Sequence, residues 1–478
     1  MSKPFYITTT LPYVNAELHM GHALEFIRAD AIARYKMLMG HDVFFNSGTD
    51  EHGSKIFKKA EAEGKAVQAF VDDNVEKFYA SVKVLGLTES VHFIRTTEPK
   101  HVIAAEEFWK RVKDNGYIYK KSYETKYCVG CEEEKTDSEL VEGKCPIHPH
   151  LELELINEEN YFFKFSAFGD KLLAFYEKKP NFVIPEFRFN EMKAFIKGGL
   201  RDFSISRLKS KMEWGIPVPG DPEQVMYVWF DALVNYIATV GWPNDTETFT
   251  KYWVDGTPTQ YCGKDNTRFQ SVMWQAMLMA AELPNSDQIV VNGFITAEGG
   301  VKMSKSLGNV VDPKTIAEEY GTEALRFFLL SEVSSFEDSP FTIERFRDAY
   351  NAKLANGIGN LTSRIMKMAT THLEKTPAIP KEFMPENWIH AMERFDIKEA
   401  MDITFRHVSE LDQIIQSKEP FKLVKTDKDA AIEIIKDLVL RLYAIAEMLH
   451  PMMPETSKKI KETIKAFAMP EPLFLRKE

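Results

Sequence analysis

The feature that most constrains this chain is the order of its first fifty residues, which read strand, loop, helix, strand. Phe5-Tyr6-Ile7-Thr8-Thr9-Thr10 is rich in β-branched and aromatic residues, and Leu11-Pro12-Tyr13-Val14-Asn15 interrupts it. A helix is expected from about Leu18 to Lys36, and Val43-Phe44-Phe45 reads as the next strand. Two strands joined through a helix lie parallel, so the chain starts as an α/β fold built on an open parallel sheet.

The rhythm then changes twice. A long helical stretch is expected to about residue 115, followed over residues 116–226 by cysteines, short strands and turns such as Pro217-Val218-Pro219-Gly220, which reads as an insertion. The α/β pattern resumes over 227–340, with strands expected at Tyr227-Val228-Trp229, Gln260-Tyr261-Cys262 and Ile289-Val290-Val291. From about residue 341 only helical periodicity remains. Leu354, Ile358, Leu361, Ile365 and Met368, and again Ile435, Leu438, Leu442, Ile445 and Leu449, recur at alternating steps of three and four, so residues 341–478 read as an antiparallel helical bundle. At 478 residues two to four domains are expected. No run of about 18 uncharged apolar residues occurs, so no membrane-spanning helix is expected. The N-terminus has neither a signal-peptide core nor an Arg-rich transit pattern. With four cysteines, three of them clustered, a reducing, cytoplasmic location is expected. The net charge of −11 argues against a protein that coats DNA or other nucleic acid indiscriminately. Residues 341–478, however, hold 22 basic against 21 acidic residues and can present a local basic face.

Ligands of an open parallel sheet bind beyond the carboxyl ends of its strands, so the residues just after each strand are informative. After the first come Leu11-Pro12-Tyr13 and His19-Met20-Gly21-His22; after the second, Ser47-Gly48-Thr49-Asp50-Glu51-His52-Gly53. The later strands run into Gly263-Lys264-Asp265 and Asn292-Gly293. That convergence of glycines with Asp, His, Lys and Asn points to a small-molecule site. Taken alone, His19 and His22 fit an anion site at a helix start, an ordinary helix-start pair, or metal ligands three residues apart. Lys302-Met303-Ser304-Lys305-Ser306, after Gly299-Gly300, fits a loop that neutralises a polyphosphate, or a solvated basic loop. No Walker-type loop and no Gly-x-Gly-x-x-Gly competes for a nucleotide.

Cys128-x2-Cys131 is followed, after thirteen intervening residues, by Cys145-x2-His148. Two short-spaced pairs suit the knuckles of one tetrahedral zinc, and with all four positions filled by protein the metal is structural. His150 lies two residues beyond the pattern, and Cys262 stands apart as a buried strand residue.

Together, His19-Met20-Gly21-His22 and Lys302–Ser306 resemble the two signature motifs of class I aminoacyl-tRNA synthetases. Thr10-Leu11-Pro12-Tyr13, Gly48-Thr49-Asp50, Tyr227-Val228-Trp229-Phe230-Asp231-Ala232 and Gly263-Lys264-Asp265 are similar to segments of the methionyl-tRNA synthetases. The resemblance covers essentially the whole chain. It implies a Rossmann-like catalytic domain in two halves, 1–115 and 227–340, a zinc-binding connective peptide at 116–226, and an anticodon-binding helical domain at 341–478. It implies activation of L-methionine by ATP, with Mg2+, to methionyl-adenylate and pyrophosphate, then transfer to the methionine tRNA by a monomer. His19, Gly21, His22, Gly263, Asp265, Lys302, Ser304 and Lys305 would contact ATP, with His19, His22, Lys302 and Lys305 acting electrostatically. Leu11 and Asp50 would hold the methionine ammonium; Tyr13, Trp229, Ala232, Tyr236 and Gln270 would line its side-chain pocket. Gln270 stands where the family often has His, and Leu233 where it often has Pro; Gln still donates a hydrogen bond, while the detailed shape of the pocket is open.

In the helical third, Asn356, Asn360 and Arg364 share one polar face, which suits unpaired base edges or simple solvation. Asn360-Leu361-Thr362-Ser363-Arg364 resembles the family's anticodon-reading segment, and Phe421 after Pro420 falls where an aromatic stacks on a base. Against the leucine, isoleucine and valine enzymes stand a short insertion and the pair Trp229 and Tyr13. Against the cysteine enzyme stands a zinc site with no open position. A tRNA-binding protein without catalysis would not be expected to keep both motifs.

Overall fold

The computed structural model describes residues 3–14, 18–131, 133–300, 311–380 and 384–477. Lys302, Ser304 and Lys305 lie outside the described residues. The chain divides into two compact units, one of Met1–Glu17, His41–Ser81 and Glu89–Val291, the other of Leu18–Gly40, Val82–Thr88 and Asn292–Glu478.

The first unit is organised by a six-stranded sheet. In chain order its strands and those of the insertion are β1 (Phe5–Thr9), β2 (Val43–Thr49), β3 (Val91–Arg95), β4 (Ile118–Cys128), β5 (Glu133–Lys135), β6 (Glu154–Phe163), β7 (Val183–Ile184), β8 (Phe203–Ser204), β9 (Ser206–Leu208), β10 (Pro217–Val218), β11 (Asp221–Met226), β12 (Thr257–Gly263) and β13 (Gln288–Asn292). The sheet order is β3-β2-β1-β12-β13-β7, and β1 pairs in parallel with both β2 and β12. Every residue of β1 is buried; a parallel strand covered on both faces has no solvent side, hence its unbroken run of apolar and threonine residues. Strand β2 is locked against β3 at Gly48, where an added Cβ would stand 1.9 Å from the Ile94 carbonyl oxygen. The insertion forms a separate antiparallel sheet, β5-β4-β6-β8, whose backbone is the ten-residue pairing of β4 with β6.

Three expectations need correction. Tyr227-Val228-Trp229 is not a strand: β11 ends at Met226 and Val228–Ala232 is a helical turn, with the Asp231 N–H donating to the Tyr227 carbonyl at 3.1 Å. An apolar run of four residues has no period by which to tell strand from helix. The helical stretch before residue 115 contains edge strand β3, in which Ile94 alone is fully buried, so alternation barely registers. Val183–Ile184, inside the expected insertion, pairs in parallel with β13 at the sheet edge; two residues leave no pattern.

Among its described residues the second unit is helical apart from a two-residue pairing of Ile295–Thr296 with Ser339–Pro340. All ten residues of the two predicted apolar stripes are buried. No helix among the described residues is long and apolar enough to cross a membrane. The unit is tied together by a buried ion pair, Arg326 Nη2 to Asp30 Oδ2 at 2.7 Å, with both side chains inaccessible. Asp30 also accepts from Arg34 at 2.8 Å and from the Thr88 N–H at 2.7 Å. Arg326 donates further to the carbonyls of Leu85, Gly86, Pro451 and Met452. Four separate segments therefore converge on two side chains. Removing one member of such a pair strands the other in a dry interior. Arg326→Ala is expected to lower unfolding free energy by about 3–5 kcal/mol, measured by urea denaturation; a loss under about 1 kcal/mol would mean that the pair contributes no more than a surface bridge.

Candidate active site and metal centre

In the first unit the ends of β1 and β2 are zipped together. The Asp50 N–H donates to the Pro12 carbonyl at 3.0 Å and the Val14 N–H to the Asp50 carbonyl at 3.3 Å, a parallel bridge that fixes Tyr13 opposite Asp50. Leu11 and Asp50 are both buried. Glu51, the next carboxylate, is fully engaged in structure: Arg95 grips it through Nε at 2.7 Å and Nη2 at 2.9 Å, and Thr49 and Thr97 each donate to it at 2.6 Å. Two adjacent carboxylates thus have different surroundings, one clamped by a guanidinium and the other buried and reached by the His52 N–H at 3.4 Å.

Trp229 lies flat on Phe269, ring centroids 3.9 Å apart and planes 8° from parallel. Tyr13 and Trp229 pack at the margin of the core that contains Leu11 and Tyr236. Ala232 is buried on the same helical turn as Asp231. Gln270 is fully buried in a π-type turn, Phe269–Met273, and donates to the Tyr236 hydroxyl at 2.5 Å. Gly263 closes β12 and is buried, whereas Asp265 two residues later is exposed.

Sequence reasoning passed over a cluster built on Asp231. This carboxylate, fully buried, accepts from His52 Nδ1 at 2.7 Å and from His101 Nε2 at 2.6 Å. Burial alone would push its pKa up, but the charge and hydrogen bonds of the two imidazoles prevail and hold it at about 2. His52 follows Asp50 by two residues and its N–H reaches Asp50 Oδ1 at 3.4 Å. The cluster therefore ties the loop bearing Asp50 to the turn bearing Trp229 and Ala232. Its signal in the sequence was a lone carboxylate in the apolar run Val228–Val234.

In the second unit His19 caps the helix Met20–Leu38. The Gly21 N–H donates to His19 Nδ1 at 3.1 Å and the His19 N–H to His22 Nδ1 at 3.4 Å. Each Nδ1 acts as an acceptor, so each ring carries its proton on Nε2. The rings stack at 3.7 Å, and a Cβ on Gly21 would come within 2.9 Å of His19 Cε1, which explains the glycine. The arrangement offers ring N–H donors beside a helix N-terminus, a setting for an anion. Asn356 and Asn360 are exposed; Arg364 is half-buried and ion-paired with Asp412. Phe421 is 46% exposed on the short helix Pro420–Leu423.

Cys128, Cys131, Cys145 and His148 bring their ligand atoms within 4.8 Å of one another. Cys131 Sγ is 3.5 Å from Cys145 Sγ and 3.3 Å from His148 Nδ1, and Cys128 Sγ is 3.8 Å from His148 Nδ1. A tetrahedral zinc with bonds of about 2.0–2.3 Å requires ligand separations of roughly 3.5–3.8 Å, so the donor set fits that ion. Gly130 is part of the fit, since a Cβ there would meet His148 Cγ at 2.5 Å. His150 stands aside, its ring centroid 6.2 Å from that of His148.

The Asp231 pKa makes a prediction about acid stability. A folded value near 2, below the ordinary 3.8, means stability that is complete above pH 4 and is lost as pH falls through the folded pKa. The carboxylate's own share is about 2 kcal/mol. The difference in unfolding free energy between the native chain and Asp231→Asn is expected to shrink by that amount between about pH 4 and pH 2. A difference that stays constant over this window would remove the ionised carboxylate from the cluster.

Comparison with known proteins bears on what such a site does. A family model described as tRNA synthetases class I (M) matches residues 5–154 and 148–366. A methionine–tRNA ligase of Caldanaerobacter subterraneus subsp. tengcongensis is 39% identical, the alignment covering 97% of this chain and 74% of that protein. The corresponding ligase of Nostoc sp. is 38% identical, covering 96% of this chain and 89% of its own. The solved structure of Mycobacterium tuberculosis methionyl-tRNA synthetase in complex with methionyl-adenylate superposes with a TM-score of 0.90 at 33% identity over the whole of both chains. Because the family model spans most of its length and ligases of one specificity align over nearly all of it, this chain belongs to the class I aminoacyl-tRNA synthetases, in the methionine–tRNA ligase family.

Proposed function

We propose that the chain joins L-methionine to ATP at the first unit's strand ends and then passes the methionyl group to the 3′ end of its tRNA. The observation that carries this reading is the backbone bridge between the Tyr13 and Asp50 loops, which pairs a buried Asp50 with Tyr13 at the adjoining ends of two parallel strands. That is the environment an amino acid with an apolar side chain requires. Asp50 and the Leu11 carbonyl hold the ammonium, and Tyr13, Trp229, Ala232, Tyr236 and Gln270 surround the thioether. The methionine carboxylate attacks the α-phosphate of ATP and pyrophosphate leaves, forming the mixed anhydride methionyl-adenylate. A terminal ribose hydroxyl of the tRNA then attacks the acyl carbon and AMP leaves.

The protein supplies no nucleophile. Gly263 and Asp265 receive the ribose, while Gly21 gives the phosphates room and His19 and His22 offer them Nε2–H donors. Lys302 and Lys305 neutralise the charge that builds on pyrophosphate, Ser304 contacts ATP beside them, and Mg2+ accompanies ATP. Positioning and charge stabilisation are sufficient for transfers of this kind. In the second unit Asn360 and Arg364 read anticodon base edges and Phe421 stacks on a base, Arg364 being presented by its pairing with Asp412. One zinc is held by Cys128, Cys131, Cys145 and His148, where it fixes the knuckles without entering the reaction. The enzyme works in the cytoplasm as a monomer.

Methionine-dependent pyrophosphate exchange tests the activity directly; exchange with another amino acid in preference would overturn the specificity. Lys305→Ala is expected to slow adenylate formation by about two orders of magnitude, roughly 3 kcal/mol, with little change in methionine KM, because its contact strengthens as charge develops. Stopped-flow rates equal to the native enzyme's would remove the loop from the mechanism. Metal analysis should find one zinc per chain, and Cys145→Ser should release it more readily to a chelator while ATP binding persists. Protein purified with less than about a tenth of an equivalent would not have a structural zinc.

A further inference from the structure

Tyr236 stands at one end of a buried relay that also contains Gln270, Gln260, Ser286 and Gln275, none more than 2% exposed. The two ends of a glutamine amide have the same shape, so only its partners decide which way it faces. Here the direction is set by the backbone at the far end. The Ser286 N–H donates to Gln275 Oε1 at 3.1 Å, and Gln275 Nε2 donates to the Gln270 carbonyl at 2.9 Å. A peptide N–H can only donate and a carbonyl can only accept, so the Gln275 amide has one permitted orientation.

Each further link inherits that direction. Gln275 Nε2 donates to Ser286 Oγ at 3.0 Å, and Ser286 Oγ gives its own proton to Gln260 Oε1 at 2.5 Å. Gln260 Nε2 then faces Gln270 Oε1 at 2.5 Å, and Gln270 Nε2 faces the Tyr236 hydroxyl oxygen at 2.5 Å. Reversing one amide alone would set donor against donor or acceptor against acceptor, and reversing Gln260 and Gln270 together would take from the buried Ser286 hydroxyl the acceptor of its proton, a costly mismatch. The Tyr236 O–H bond therefore cannot point at Gln270 and is directed away from the relay as a donor.

We infer that Gln260, Gln270, Ser286 and Gln275 are positioning residues that make the Tyr236 hydroxyl an obligate hydrogen-bond donor, and so bias the pocket toward a side chain with an acceptor, the thioether sulfur, over a hydrocarbon of the same shape. The inference rests on the proposed reading that Tyr236 lines the methionine pocket. It concerns selectivity rather than the rate of the chemical step.

The test compares methionine with norleucine, which carries CH2 in place of sulfur, by kcat/KM in pyrophosphate exchange. Gln275→Glu replaces the anchoring amide by a carboxylate that, ionised against the Ser286 N–H and Asn285 Nδ2 donors, only accepts. The Ser286 hydroxyl should then turn toward residue 275, the Gln260 and Gln270 amides should reverse, and the Tyr236 proton should be drawn to Gln270. The methionine-to-norleucine ratio is expected to fall about three- to tenfold, through a higher KM for methionine with the norleucine constants and the ATP KM unchanged. Tyr236→Phe should give the same fall, and the double variant no further one, because both act through one proton. A purely structural role would move both amino acids together. If Gln275→Glu does not fold, Ser286→Ala interrupts the relay and is read by the same ratio. An unchanged ratio in a folded variant, or a second independent fall in the double variant, overturns the relay alone. A native enzyme that does not activate methionine overturns the functional reading, and the relay's role with it.

Discussion

The parallel pairing of β1 with β2 on one side and β12 on the other is the constraint from which the first unit's chemistry follows. In a parallel sheet all carboxyl ends leave at the same edge, and the order of strands reverses between β1 and β12. Residues far apart in the chain, around positions 11–13, 50–53 and 263–265, thereby become the endings of neighbouring strands. The loops that must connect parallel strands bring these residues to one edge of the sheet. Those loops must also be held still, and the Pro12–Asp50 and Asp50–Val14 backbone bonds do so where side chains alone would leave freedom.

Both units hold buried charges, and each charge has several partners. Asp231 has two imidazoles, Glu51 a guanidinium and two hydroxyls, Asp30 two guanidinium groups and a peptide N–H. An ion taken from water costs several kcal/mol, which a single contact rarely offsets. Such clusters are therefore weak contributors to net stability, but they tolerate few geometries. That makes them suited to fixing where a loop sits. Asp231 fixes the turn carrying Trp229 relative to the loop carrying Asp50, so accuracy at the proposed ammonium and side-chain sites derives from one carboxylate that touches neither.

What the sequence made legible divides along the range of the interactions. The candidate metal-ligand pairs were readable because both are local, with two-residue spacings that a tetrahedral site demands. The apolar stripes of the bundle were readable because helical periodicity spans many residues, and all ten positions are buried. Strand β3 and the Val228–Ala232 turn were misread because four or five residues do not establish a period. The Asp231 cluster joins positions 52, 101 and 231, and nothing at one of them announces the others. Sequence also places Arg364 on a polar face, but its pairing with Asp412, 48 residues away, is visible only in three dimensions.

Gln270 illustrates why residue type alone underdetermines a site. By composition of its side chain it is a group that both donates and accepts, and from sequence any hydrogen-bonding replacement looks equivalent. In the fold its oxygen is claimed by Gln260 and its nitrogen by Tyr236, so it transmits a direction imposed elsewhere. An imidazole at this position would also have one donor and one acceptor, but which nitrogen carried the proton would again be decided by Gln260, whose own orientation is set through Ser286. Substitution there exchanges the side chain and keeps the polarity. A change at Gln275 keeps the side chains of the proposed pocket and alters their polarity, so on the proposed reading selectivity is governed by a fully buried residue outside that set.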